Sequence, residues 1–265
     1  MTAWPPPGQQ YDMHNLTLPE IASHRGGAFL WPENSLLAIR EALKWPTEQV
    51  ELDVHASADG EPVVMHDATL DRMTDGQGPV VTQSWEALAQ LRVRGTGGET
   101  IPHLSHAARL IHGGGQVLRL EVKADAQGRP YPGLVARCAA VVDQHGMRPR
   151  TVFMSFEAAN VAEAAAIGGF AQTVWLAEGR VLRGMRPRDA AAMCRSCGAT
   201  ELGVPEGLSD VALRDALRAE GLRLSVWGAN HAPTIHRALR LGVDAMATDD
   251  PPLALRLRAS GVPAA

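Results

Sequence analysis

Short apolar runs alternate along this chain with longer stretches in which apolar residues recur every three or four positions. The short runs predict buried strands, and the longer stretches predict amphipathic helices. The predicted strands cover residues 21–24, 50–55, 62–66, 117–123, 151–156, 172–176, 200–203, 223–227 and 245–248. The predicted helices cover residues 35–44, 85–90, 104–112, 133–145, 157–168, 188–197, 209–220 and 233–241. This alternation predicts an α/β fold with a parallel sheet, and the number of strands favours a (β/α)8 TIM barrel.

One connection departs from the alternation of strands and helices. Asp59-Gly60, between the second and third predicted strands, is typical of a hairpin turn, and the gap is too short for a crossover helix. Either this unit lacks its helix, or one short strand runs antiparallel. An open, doubly wound sheet is the alternative to a barrel, although neither G-x-G-x-x-G nor a P-loop follows a predicted strand. Residues 1–18 are polar and rich in proline, which predicts an irregular arm before a single domain at 19–265.

Charged and apolar side chains alternate within the second predicted strand. Glu51, Asp53 and His55 therefore share one face, and apolar residues occupy the other. Neighbouring carboxylates repel each other unless a cation, a shared proton or solvent intervenes. In a buried strand the simplest remedy is a metal ion, and oxygen ligands favour a hard cation, Mg²⁺ or Ca²⁺. The pair Glu121 and Lys123 repeats the alternation in a later strand.

Polar residues also stand at or near the C-terminal ends of separate predicted strands. In a barrel these ends meet at one mouth, where catalytic groups cluster. The residues in this position are His24-Arg25, Glu51 and Asp53, His66-Asp67, Glu121 and Lys123, Ser155-Phe156, and Trp227. Their convergence predicts an active site at the mouth of the barrel.

The composition argues against several classes of protein. Hydrophobic residues make up 45% of the 265 residues and charged residues 20%, as in an ordinary globular protein. The net charge of −4 gives no general attraction to nucleic acid or to an anionic membrane. No apolar run is long enough to span a bilayer, and the N-terminus lacks the pattern of a signal peptide, so a cytoplasmic protein without membrane insertion is expected. Three cysteines, including the C-x-x-C pair Cys194 and Cys197, predict neither a disulfide framework nor a zinc site.

The order and spacing of the motifs resemble those of the glycerophosphodiester phosphodiesterase family. The resemblance extends from about Ile21 to Pro252. It is carried by His24-Arg25-Gly26, Pro32-Glu33-Asn34-Ser35, Val50-Glu51-Leu52-Asp53-Val54, Asp59-Gly60, Pro62-Val63-Val64-Met65-His66-Asp67, Leu70-Asp71-Arg72-Met73-Thr74, Gly76-Gln77-Gly78, Ile101-Pro102-His103-Leu104, Glu121-Val122-Lys123, Ser155-Phe156, Leu224-Ser225-Val226-Trp227 and residues 242–251.

This resemblance implies a TIM barrel that hydrolyses glycerophosphodiesters to an alcohol and sn-glycerol 3-phosphate with one divalent cation. It places a small insertion at about residues 68–100. The implied metal ligands are Glu51, Asp53 and Glu121. The implied catalytic histidines are His24 and His66, and the implied phosphate-binding residues are Arg25 and Lys123. One histidine would act as the base and the other as the acid, in an order that the sequence leaves open. The nucleophile would be a water molecule or the glycerol 2-hydroxyl of the substrate itself.

Three further residues are expected to line the substrate pocket, namely Trp227, Glu33 and Ser155. Trp227 either packs in the core or forms a platform for the glycerol backbone. Glu33 either caps a helix only or also orients the residues around the metal. Roles outside catalysis are expected for a structural His55 and for an Asp249-Asp250 pair that caps the next helix. Arg119 either points inward, since it shares parity with Glu121, or is exposed at the start of its strand, and exposure is the expected outcome.

Two rival functions are compatible with parts of this pattern. A lysophospholipase D or sphingomyelinase D-like enzyme shares the paired histidines and the acidic triad, but it would call for an apolar groove and, in secreted toxins, disulfides. A ligand-binding barrel that has lost catalysis should lack a histidine or an acidic ligand, and all of them are present here. The sequence therefore favours a metal-dependent glycerophosphodiesterase that acts on a small-molecule substrate.

Overall fold

Eight parallel strands close into a barrel in the computed structural model, which describes residues 18–261. Closure is complete because the first strand pairs with both the second and the last. The strands in chain order are β1 (Glu20–Ser23), β2 (Gln49–Ala56), β3 (Pro62–Val64), β4 (Val117–Val122), β5 (Thr151–Ser155), β6 (Gln172–Leu176), β7 (Glu201–Pro205), β8 (Arg223–Trp227) and β9 (Ala245–Thr248), of which β3 lies outside the parallel set. The predicted (β/α)8 barrel is confirmed, and the open sheet is wrong.

The third strand resolves the exception in the sequence pattern. It runs antiparallel to β2, with Val54 opposite Val64 and Ala56 opposite Pro62. β1 occupies the same edge of β2 only at its start, where Ser23 pairs with Val50. The hairpin therefore fills the upper part of this edge, and the chain leaves β3 beside Asp53, whose backbone carbonyl accepts from the amide of Met65 at 3.0 Å.

Helices fill the crossovers between the parallel strands, and one further helix follows the last strand. They are α1 (Leu36–Ala42), α2 (Trp85–Leu88), α3 (Leu104–Gly114), α4 (Leu134–Gln144), α5 (Ala158–Ile167), α6 (Gly179–Leu182), α7 (Pro187–Ser196), α8 (Val211–Ala219), α9 (Ala232–Leu241) and α10 (Pro251–Ala259). The single-turn α6 and the C-terminal α10 have no counterpart among the predicted helix ranges. The predicted arm at residues 1–18 lies outside the described residues apart from Leu18.

The apolar core lies between the barrel and the helices that surround it. Leu52 and Val54 of β2 are fully buried against this layer, together with Leu118 and Leu120 of β4. Burial of each such side chain contributes about 1.5–3 kcal/mol. Since side chains alternate along a strand, the polar residues between them must point into the barrel.

The lower interior of the barrel is closed by a buried polar cluster, which we call the floor (Gln49, Arg119, Glu201 and Ser225). The guanidinium of Arg119 donates to Glu201 Oε1 at 2.5 Å, to Ser225 Oγ at 2.9 Å and to Gln49 Oε1 at 3.2 Å. Burial alone would raise the pKa of Glu201, but Arg119 and Arg223 hold it below its ordinary value. The expected exposure of Arg119 is wrong, because its inward direction places it 3% exposed among these partners.

The insertion at residues 68–100 has a small core of its own. Leu70, Val80 and Leu88 are buried there, and they pack with Val63 and Met65 on and beside β3. This contact anchors the insertion to the hairpin that leads to the mouth. The insertion therefore lies beside the predicted active site.

None of the helices within residues 18–261 is long and apolar enough to cross a membrane. Cys194 and Cys197 are buried free thiols at the end of α7, where the thiol of Cys197 donates to the carbonyl of Cys194 at 3.2 Å. This is the incidental placement that their isolated spacing predicts.

We expect Arg119→Met to lower the free energy of unfolding by about 3 kcal/mol or more, because it leaves the Glu201 carboxylate buried with one partner fewer. The depressed pKa of Glu201 contributes stability above the unfolded pKa, which is lost as pH falls, so the deficit should shrink toward about pH 4. Urea unfolding followed by circular dichroism measures both effects.

Arg129→Met is the matched control, since Arg129 is 72% exposed and pairs with Asp125 only at the surface. It should change the stability by about 1 kcal/mol or less. Equal losses in the two variants would contradict a buried, structurally important pair in the floor.

Candidate active site

The chain leaves β1 through a strained turn that begins the site. Arg25 has a φ of 51°, a left-handed conformation that is costly for a residue with a side chain. Gly26 follows with a φ of 82°, and a Cβ there would lie 2.7 Å from the Ala38 side chain. The turn is held because the amide of Arg25 donates to Glu51 Oε2 at 2.8 Å. The histidine and arginine of this turn consequently both face the barrel interior.

His24 is oriented by an aspartate from the far end of the chain. Its Nδ1 lies 2.6 Å from Asp249 Oδ1, and Asp249 is itself held by Asn230, whose amide nitrogen donates to Oδ2 at 2.5 Å. Its Nε2 lies 3.9 Å from a Glu51 oxygen. Burial alone would lower the pKa of His24, but Glu51 and Asp249 raise it above its ordinary value.

The expected capping role applies to only one member of the Asp249-Asp250 pair. The side chain of Asp250 accepts from Leu253 N at 3.0 Å and caps α10. Asp249 turns to His24 instead, a pairing that sequence reasoning missed. No local pattern points to it, because the two residues are 225 positions apart.

His66 is positioned by its neighbour in sequence and by a buried histidine. Its Nδ1 lies 2.7 Å from Asp67 Oδ1, and its backbone carbonyl accepts from His55 Nε2 at 2.9 Å. Burial, together with Lys123 and Arg25, lowers the pKa of His66 in spite of Asp53.

His55 has the structural role that was expected. It is 2% exposed, and its Nδ1 lies 2.9 Å from the hydroxyl of Tyr131. Burial lowers its pKa to about 4, so it remains a neutral ring that donates to one partner and accepts from the other.

Three buried carboxylates lie together in the barrel. Asp53 of β2 is opposite Glu121 of β4, and Glu51 precedes them on the same face. Oxygen atoms of the three lie within 4.8 Å of one another, and Glu51 is 0% exposed. Burial and the repulsion of its neighbours raise the pKa of Glu51 to about 7, and its Oε1 has no hydrogen-bond partner. An unpartnered buried oxygen in an all-carboxylate cluster fits a hard divalent cation.

Cations and one amide surround the central carboxylate, Asp53. Lys123 Nζ lies 3.2 Å from Asp53 Oδ1 and 2.6 Å from Glu121 Oε1, and Arg25 Nε lies 3.4 Å from Asp53 Oδ2. Asn34, another left-handed residue, donates to Asp53 Oδ2 at 2.8 Å. Burial alone would raise the pKa of Asp53, but Lys123 and Arg25 hold it well below its usual range. These contacts therefore favour the anionic form of Asp53.

A cavity of about 150 Å³ opens above these groups at the mouth. It joins most of the predicted site residues, and its lining comprises His24, Arg25, Glu51, His66, Arg119, Glu121, Lys123, Met154, Phe156, Leu176, Ser225, Val226, Trp227 and Ala247. The charged residues come from β1 to β4 and their loops, whereas the opposite wall is apolar. On that wall the rings of Phe156 and Trp227 meet edge to face, with their centroids 5.6 Å apart. One side of the cavity therefore suits an anion and the other suits a carbon skeleton.

Two residues predicted for the pocket lie elsewhere. Ser155 is 1% exposed, and its hydroxyl donates to the Val122 carbonyl at 2.7 Å, so it braces two strands and does not line the cavity. Glu33 lies at the rim, where it accepts from Arg25 at 3.1 Å. The cap of α1 is Ser35, which accepts from Ala38 N at 3.0 Å, whereas Glu33 binds Arg25 and Arg72 instead.

Comparisons with known proteins give a consistent result. Residues 24–253 match the model of the glycerophosphoryl diester phosphodiesterase family. The glycerophosphodiester phosphodiesterase of Caldanaerobacter subterraneus subsp. tengcongensis is 24% identical over 264 residues, which cover 91% of this chain and 98% of that protein.

Solved structures agree with the sequence match. An Agrobacterium tumefaciens protein assigned as a glycerophosphoryl diester phosphodiesterase gives a TM-score of 0.88 at 32% identity, covering 92% of this chain and 98% of its own. A phosphodiesterase of Oleispira antarctica, solved with the product sn-glycerol-3-phosphate, gives a TM-score of 0.76 at 25% identity and covers 91% and 96%.

The match to the family model spans most of the chain, and the similarity to the Agrobacterium structure extends over almost all of both molecules. The family and the enzyme class predicted from the motifs are confirmed. The chain belongs to the glycerophosphoryl diester phosphodiesterase family.

Proposed function

We propose that this cavity hydrolyses glycerophosphodiesters to an alcohol and sn-glycerol 3-phosphate, with His24 and His66 as the acid–base pair. The observation that carries the proposal is the meeting of both histidines with a buried carboxylate cluster in one cavity. The product complex of the Oleispira relative supports the same substrate class. The substrate would be a small molecule bound at the mouth of the barrel.

The charge of the phosphodiester is matched by fixed cations on the cavity wall. Arg25 and Lys123 line the cavity beside the carboxylates and would bind the phosphate oxygens. Glu51, Asp53 and Glu121 would hold one divalent cation, Mg²⁺ or Ca²⁺. When bound, this ion supplies positive charge that stabilises the phosphoryl oxygens in the transition state. Preorganised charge of this kind is commonly the largest catalytic contribution.

The two histidines are arranged for proton transfer. In each, an aspartate engages Nδ1, so that Nε2 is available to the cavity. One ring would take the proton of the nucleophile, and the other would protonate the departing alcohol oxygen. The nucleophile is a water molecule or the glycerol 2-hydroxyl. Only the second passes through a cyclic phosphate, so rapid-quench product analysis distinguishes them.

Release of glycerol 3-phosphate from glycerophosphocholine should require a divalent cation. We expect turnover with Mg²⁺ or Ca²⁺ and none after treatment with EDTA, because the carboxylate cluster carries uncompensated charge without an ion. A coupled assay for glycerol 3-phosphate measures this. No release from folded protein in any condition would overturn the proposal, and lysophospholipids would then be the next substrates to try.

His24→Gln and His66→Gln should each lower kcat by about 10²–10⁴-fold, since each removes one proton-transfer group. The control is His112→Gln, at an exposed position on α3 far from the cavity, which should retain the wild-type rate. Either site variant with the rate of the control would exclude its histidine from the acid–base pair.

The stability of the metal-free protein should fall as pH rises from about 5 to about 8. The folded-state pKa of Glu51, about 7, lies above its unfolded value, so its contribution is present at low pH and lost as pH rises through that value. Added cation should restore the stability at high pH. Glu51→Gln should remove most of the pH dependence and most of the thermal stabilisation by the ion. Thermal unfolding at several pH values measures these changes in stability. Identical pH profiles for wild type and Glu51→Gln would contradict the prediction.

A further inference from the structure

Arg72, in the insertion, makes a double fork at the rim of the cavity. Its Nε and Nη2 donate to Asp67 at 2.6 and 2.9 Å. Its Nη1 and Nη2 donate to Glu33 at 2.8 and 2.7 Å. One planar guanidinium thus binds two carboxylates at once, a geometry that a lysine ammonium cannot reproduce.

Each of these carboxylates also binds a residue of the proposed chemistry. Asp67 Oδ1 accepts from Arg72 and lies 2.7 Å from His66 Nδ1. Glu33 Oε1 accepts from Arg72 and from Arg25 Nη1, the latter at 3.1 Å. The same two oxygens are therefore shared between Arg72 and the two groups that would act on the phosphate.

Removal of Arg72 would leave two carboxylates facing each other at the rim. Nη2 lies within 3 Å of an oxygen of each, so Asp67 and Glu33 are close enough to repel without it. The side chains would separate, and each would pull on its remaining partner. His66 would lose its fixed ring orientation, and Arg25 would lose its tether at Glu33.

We propose that Arg72 is a positioning residue that fixes the orientation of the His66 ring through Asp67 and the position of the Arg25 guanidinium through Glu33. The inference rests on the proposed function, because it assigns the purpose of the contact to the reaction at the cavity. It also gives the insertion a part in catalysis, since Arg72 belongs to the insertion and binds Asp67 and Glu33 at the rim of the cavity.

A purely structural role fits this arginine poorly. Arg72 is 47% exposed, and exposed ion pairs contribute only about 0–1 kcal/mol to stability. The insertion is already anchored by its buried apolar residues. The contact therefore contributes more to the alignment of the side chains in the site than to the stability of the fold.

Arg72→Ala should lower kcat about 10- to 100-fold and raise KM, with little change in thermal stability. Arg72→Lys keeps the charge but not the fork, so it should recover only part of kcat. The matched control is Arg94→Ala, an exposed arginine of the same insertion, which should behave as wild type. Wild-type kinetics in Arg72→Ala, or an equal loss in Arg94→Ala, would overturn the proposal.

A double-mutant cycle tests whether Arg72 acts through Asp67. Asp67→Asn should lower kcat, and the addition of Arg72→Ala to it should cause a much smaller further loss in kcat than Arg72→Ala causes alone. Full additivity of the two losses would show that Arg72 acts independently of the His66 ring and would overturn the mechanism.

Nitrogen-15 spectra of the histidine rings test the link without any turnover. In wild type, Asp67 should hold His66 in the tautomer with the proton on Nδ1, and His66→Gln identifies the signals. In Arg72→Ala the ring should show a mixture of tautomers, whereas an unchanged ring would overturn the inference. If wild-type protein released no glycerol 3-phosphate but Arg72→Ala changed the ring, the proposed function would fail and the contact would stand.

Discussion

The mutual repulsion of three carboxylates inside a closed barrel is the constraint on which the rest of the site depends. Glu51, Asp53 and Glu121 lie on adjacent strands where solvent cannot separate their charges. Lys123 and Arg25 offset part of this charge, and the backbone at Arg25 is strained into a turn that donates its amide to Glu51. Because neither partner donates a hydrogen bond to Glu51 Oε1, the cluster can accept a further positive charge.

The sequence was informative wherever neighbouring residues decide the outcome. Alternation along a single strand was enough to place Glu51 and Asp53 on one inward face, and the rule for the ends of parallel strands was enough to place His24 at the mouth. His66 reaches the same cavity after the antiparallel β3, which that rule does not cover. The Asp59-Gly60 pair indicated a hairpin turn, although only the structure shows that the short strand runs antiparallel to β2. Fold class, strands and most of the cavity lining could therefore be read from local patterns.

Contacts between distant segments could not be read in this way. Side-chain parity predicts that Arg119 can point inward, but its burial depends on how the barrel narrows and on Glu201 in a later strand. Ser155 stands at a strand end like the proposed catalytic residues, yet its hydroxyl donates to a carbonyl of the adjacent strand. The aspartate that orients His24 is next to a true helix cap, so its local context suggests the wrong partner.

The floor determines how substrate and products enter and leave the cavity. Arg119 and Ser225 line the bottom of the cavity and are tied to buried partners, so within the described residues the chamber is blind at its lower end. Whatever enters must leave by the same opening, and the two products of one turnover must depart before the next substrate is admitted. In the proposed reaction, a bulky alcohol group need not fit inside the cavity, because it can extend through the opening into solvent while the phosphate binds below.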